Sequence, residues 1–126
     1  MCQLLDLHRL VIMRDEALIY STAPGKHDGT VVMSLVGPLT LSNMFGLQDE
    51  LRALKPQVLI LDLSGSPYMD SAGLGLLMNC YVAAEGAGRK FFLTGVNNRV
   101  TALLDLTKVT NILKTFPSVE AAEASL

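Results

Sequence analysis

Apolar residues change their spacing along this chain, and the changes divide it into strands and helices. "ALIYSTA" (17–23) and the β-branched "TVVMSLVG" (30–37) are short apolar runs separated by Pro24, Gly25 and a polar stretch to Gly29. That pattern predicts a hairpin. After Gly37-Pro38 the period lengthens. Leu41, Met44, Leu47 or Gln48, Leu51 and Leu54 recur at three- and four-residue intervals, the spacing of an amphipathic helix. Thr40 or Ser42 is placed to cap this helix, and Pro56 to end it near Leu54. "QVLILDL" (57–63) is a continuous apolar run, as expected of a central strand covered on both faces. A helix from Ser71 to about Glu85 carries Leu74, Leu77, Met78, Tyr81 and Val82 inward and stops at Gly86 and Gly88. "KFFLTG" (90–95) reads as a buried strand, and "NNRVTALLDLT" (97–107) as a short helix with Val100, Leu103 and Leu104 inward. "NILKTF" (111–116) suits an edge strand, and "SVEAAEAS" (118–125), behind Pro117, a closing helix. Earlier, "RLVIM" (9–13) fits either a short strand or a helix continuing from Leu4.

Strands alternating with helices define an α/β layered domain with right-handed crossovers over a mixed, largely parallel sheet. Sites in such sheets favour the loops at the carboxyl ends of strands, and "SPYMDS" (66–71) follows the 57–63 strand at one such end. The 126 residues are enough for one domain with its own core. Half are hydrophobic and 17% are charged, which describes a folded chain rather than a disordered one. A net charge of -2 and the lack of any lysine or arginine run speak against a nucleic-acid partner. No segment approaches the ~20 apolar residues of a membrane span. Asp6, His8 and Arg9 interrupt any signal-peptide core, so a cytoplasmic location is expected.

Candidate chemistry is sparse. Gly73-Leu74-Gly75 begins a dinucleotide-type loop, but Met78 stands where the third glycine belongs. Gly25-Lys26 lacks both the upstream glycine and the following hydroxyl of a phosphate loop, since His27 takes that place. Ser71 has Met69 rather than glycine two residues earlier, so it is no nucleophile elbow. His8, His27, Cys2 and Cys80 have no metal-ligand spacing, and Cys80 reads as a buried thiol. No catalytic residue, metal or cofactor is expected.

What remains is "SPYMDSAGLGLL" (66–77). Asp70 is a strong helix N-cap worth ~1 kcal/mol, and a capped helix start alone accounts for it. Gly73 and Gly75, however, each cost ~1 kcal/mol relative to alanine in a helix. Their presence clears side chains from around Ser71, whose hydroxyl a partner protein then reaches. A phosphoryl group on Ser71 gains from the helix dipole and the free N–H groups, and is opposed by the charge of Asp70.

"LILDLSGSPYMDSAGLGLL" (59–77) resembles the signature of STAS domains, the fold of bacterial anti-sigma factor antagonists. "MSLVGPL", "KFFLTGVNNRVTALLDLTKV" and "FPSVEAAEASL" are similar to other parts of that family, so residues 17–126 are covered and 1–16 form an extension. The resemblance implies a STAS-type sheet of four to five strands with about four helices. It also implies a non-enzymatic phosphoprotein of transcription regulation that works by partner switching. Unphosphorylated at Ser71, such a protein binds an anti-sigma factor serine kinase. Phosphorylated there, it lets go, and a serine phosphatase resets the cycle. Asp70, Gly73 and Gly75 match the switch-loop pattern, and the partner surface implied comprises Tyr68, Met69, Asp70, Ser71, Ala72, Leu74, Thr40 and Met44, with Phe45 beside them. A monomer or weak dimer is expected, with no membrane insertion. Two positions depart from the family: Pro38 and Thr40 stand where an acidic or charged residue is common, and Ala72 replaces a frequent second serine. The alternative is a STAS scaffold subunit of a signalling assembly or of a lipid or anion transport system.

Overall fold

A computed structural model describes residues 18–126. The expected extension over 1–16, the 9–13 run, Cys2 and His8 lie outside the described residues. The chain forms β1 (Ile19–Pro24), β2 (Thr30–Val36), α1 (Phe45–Ala53), β3 (Val58–Gly65), α2 (Ser71–Gly86), β4 (Lys90–Thr94), α3 (Asn98–Leu106), β5 (Lys114–Phe116) and α4 (Val119–Ala124). The strands make one sheet in the order β1-β2-β3-β4-β5. The first pair is the expected antiparallel hairpin and the rest are parallel.

Each crossover from β2 to β5 steps the same way across the sheet. The right-handed rule therefore puts α1, α2 and α3 on one face. Alternation along the strands follows. Met33, Leu35, Leu59, Leu61, Leu63, Phe91 and Leu93 meet Leu47, Leu51, Leu74, Leu77, Val100 and Leu104 in the main core. Val58, Ile60 and Phe92 point the other way onto Ala122, so α4 covers the opposite face. Phe92 and Phe116 meet edge-to-face there, with ring centroids 5.1 Å apart.

Three expectations are corrected. The first helix starts at Phe45, and neither Thr40 nor Ser42 caps it; its N-cap, Met44, makes no side-chain capping bond. Asn43 accounts for the delay. Its Oδ1 accepts from Thr40 N at 3.0 Å and its Nδ2 donates to the Pro38 carbonyl at 2.8 Å, closing residues 38–43 into a turn. Leu41 is consequently 56% exposed rather than inward. Second, β5 has three residues, because 110–113 are turns with Leu113 buried. Third, on α2, Val82 is 62% exposed rather than inward, and Leu76, outside the expected inward set, is buried.

Candidate functional site

The carboxyl end of β3 leads through residues 66–70 to α2, and a second segment runs beside that loop. Leu39 and Met69 form a parallel bridge. Leu39 N donates to the Tyr68 carbonyl at 3.0 Å, and Asp70 N donates to the Leu39 carbonyl at 3.2 Å. The 38–40 segment therefore lies directly against the loop that leads into α2.

Asp70 joins the two. Its extended backbone (φ -101°, ψ -175°) makes it the N-cap of α2, and Oδ1 accepts from Gly73 N at 2.9 Å. Its other oxygen, Oδ2, accepts from Leu41 N at 3.1 Å. The sequence pattern identifies the cap; the second bond needs a contact across 29 residues and has no local signal. Ser71, the first helical residue, is exposed.

The two glycines do different things. A Cβ on Gly73 would overlap the Leu39 carbonyl oxygen and stand 3.0 Å from Leu39 Cγ, so this glycine lets the helix start pack on the 38–40 segment. A Cβ on Gly75 would meet nothing within 4 Å. Gly75 alone keeps the surface beside Ser71 bare, one helical turn along the same face.

The residues expected to form the partner surface divide accordingly. Asp70, Ala72 and Tyr68 are partly buried, and Ser71 is exposed. Met44, Met69 and Leu74 are buried in the main core, and Thr40 is buried in the turn, so their side chains offer no contact surface. Their apolar character stabilises the loop from beneath. The apolar groups that do reach the surface nearby are Leu41 and Phe45, the latter 58% exposed. Tyr68 carries the Arg99 guanidinium over its ring, 4.8 Å from the centroid. Asn97 caps α3 through Val100 N at 2.9 Å and donates to the Pro67 carbonyl at 2.8 Å. Asn43 and Asn97 thus hold the loops on either side of the motif. Asparagines before predicted helices were the only available signal for them.

Among the described residues no group of His, Cys, Asp or Glu is arranged to hold a metal ion, and no helix is long and apolar enough to cross a membrane. The Cys80 thiol is pushed up to about 11 by burial, which keeps it protonated and unreactive at neutral pH. The arrangement places an exposed hydroxyl at a helix start.

Solved structures share the fold. An anti-sigma factor antagonist from Mycobacterium paratuberculosis superposes with a TM-score of 0.74 at 23% identity, covering 85% of this chain and 93% of that one. The Bacillus cell fate determinant SpoIIAA in its phosphorylated form gives 0.65 at 16% identity, over 86% of this chain and 100% of that one. The murine anion transporter Solute Carrier 26 family member A9 gives 0.74 at 19% identity, over 92% of this chain and 23% of that one. The family model for the STAS domain matches residues 22–122, which run from the second half of β1 through the Asp70–Gly75 motif to most of α4, and the chain therefore belongs to the STAS domain family.

Proposed function

We propose that this chain is an anti-sigma factor antagonist, a non-enzymatic cytoplasmic protein that switches partners through phosphorylation of Ser71. The observation that carries the reading is the placement of Ser71. It is exposed at the first position of a sixteen-residue helix, next to an aspartate already committed to two backbone N–H groups. A phosphate added there is held by the helix dipole rather than by new side-chain partners. It brings nearly two negative charges to a surface whose neighbours are apolar or small: Leu41, whose N–H bonds Asp70, with Ala72 and Gly75. A partner docked on that surface loses apolar contact and gains an unpaired charge, so binding and phosphorylation exclude one another. SpoIIAA, which shares the fold, has a phosphorylated form. The partner is an anti-sigma factor serine kinase, and a serine phosphatase restores the hydroxyl.

The test uses the purified chain, an anti-sigma serine kinase from the same organism, and ATP. Mass spectrometry is expected to place one phosphate on Ser71, and Ser71→Ala to abolish it. In a pull-down without ATP, Ser71→Ala keeps the kinase and Ser71→Asp loses it. Label elsewhere than Ser71, or equal retention of both variants, rejects the switch.

A further inference from the structure

The fold gathers positive charge that is scattered in the sequence. Beyond residue 17 there are eight lysines and arginines, and five of them, Arg52, Lys55, Arg89, Lys90 and Lys114, come together at the amino ends of β3, β4 and β5. They rim two adjoining cavities of about 580 and 400 Å³ that share Ala84, Arg89, Lys90 and Phe91. Glu85 is the one acidic residue in either lining. Apolar groups line both, with Phe91 common to the two, Leu54 and Leu59 in the smaller, and Tyr81 and Ile112 beside the polar Thr110, Asn111 and Ser125 in the larger.

Helix termini account for only part of this. Arg52 lies in the last turn of α1, and Arg89 reaches back to the Ala83 carbonyl near the end of α2 at 3.4 Å, both positions where a cation offsets the helix dipole. Lys55, Lys90 and Lys114 are exposed and have no such duty. In a chain of net charge -2, five cations facing one acid at one end is a concentrated field.

We infer that this basic, doubly concave end docks an acidic segment of another protein, whose carboxylates face the lysines while its apolar side chains enter the two cavities. Concavity decides the class of occupant. An anionic bilayer is met by protruding apolar groups, and a duplex by a ridge or helix, whereas these cations ring hollows that apolar groups line. The site stands apart from Ser71. The two lie at opposite ends of α2, about 24 Å apart at 1.5 Å per residue, so occupancy of one leaves the other open.

The experiment titrates the ¹⁵N-labelled chain with a synthetic twelve-residue peptide alternating glutamate with leucine and phenylalanine, at 50 mM salt. Amide shifts are expected at Lys55, Arg89, Lys90, Phe91 and Lys114 and not at Ser71. Raising salt to 300 mM should weaken binding about tenfold or more, as the Debye length shortens. The triple variant Lys55→Glu, Lys90→Glu, Lys114→Glu changes exposed side chains only, and its folding is checked by circular dichroism. It should lose the peptide, and Lys→Gln at the same sites should weaken it less. Parallel arms use phosphatidylglycerol vesicles and a 20-nucleotide single strand. No shifts at millimolar peptide, binding indifferent to the charge reversal, or tighter binding of vesicles or DNA than of the peptide overturns the inference. None of these outcomes depends on whether Ser71 is phosphorylated.

Discussion

Replacing glycine by alanine at positions 73 and 75 makes the same chemical change two residues apart, and the structure assigns the two changes opposite signs. At Gly75 the new methyl meets nothing within 4 Å. Only backbone entropy and helix propensity change, which favours the variant by up to ~1 kcal/mol. For a domain of this size that raises Tm by about 3–6 °C. At Gly73 the same propensity gain is present, but the methyl overlaps the Leu39 carbonyl. That carbonyl is fixed because it accepts from Asp70 N, so it cannot retreat without breaking the bridge. Overpacking costs ~1–3 kcal/mol, and a weakened bridge hydrogen bond adds ~1 kcal/mol. Against the ~1 kcal/mol gain, the net is a loss of about 1–3 kcal/mol. Urea denaturation followed by circular dichroism reads both, with unchanged slope confirming that the folded state is the same. A Gly73→Ala chain as stable as the parent, or a Gly75→Ala chain less stable, refutes the packing account. If the proposed switch holds, Gly75→Ala should also bind its kinase less well while folding better, since stability and a close partner approach make opposed demands at that residue.

Two further outcomes follow from the same geometry. Asp70→Ala removes acceptors from both Gly73 N and Leu41 N, so the loss should reach ~2 kcal/mol rather than the ~1 kcal/mol of a cap alone; a melting shift no larger than that of Ser118→Ala, a simple cap on α4, counts against the bridging role. Partial burial of Cys80 favours its neutral thiol, so its contribution to stability is complete below the ordinary value of 9.0 and is lost as pH rises toward about 11; at pH 8 a thiol reagent should label Cys80 in a Cys2→Ser background more slowly in the folded chain than after urea is added, and equal rates contradict the burial.

Periodicity made most of this fold legible because hydrophobic spacing and layer position coincide. The 57–63 run is central in the sheet, and the 30–37 run pairs with the hairpin partner it predicts. Failures occur where a tertiary contact overrides a local pattern. Leu41 keeps helical spacing with Met44, yet Asn43 ties residues 38–43 into a turn, and Leu41 N turns to Asp70 instead. On α2 the nearly uniform apolar composition left the inward face undefined: Leu76 shares a hollow with Leu51 of α1 and is buried, whereas Val82 faces away. The motif itself was visible as residues, but the distinct duties of Gly73 and Gly75 depend on the Leu39 carbonyl, 34 residues before the nearer of them. The cationic end was invisible because its members come from three separate segments.

The bridge between Leu39 and Met69 has a consequence for how Ser71 is recognised. Three hydrogen bonds shape its surroundings from a segment some thirty residues upstream: Leu39 N to the Tyr68 carbonyl, Asp70 N to the Leu39 carbonyl, and Leu41 N to Asp70 Oδ2. None of them exists in a short peptide, where the ordering entropy would be unmatched by packing. Residues 66–77 are therefore not a portable linear motif. On the switch proposed above, a kinase acting on Ser71 would have to read a folded epitope drawn from two parts of the chain, and would distinguish the native protein from its own fragments.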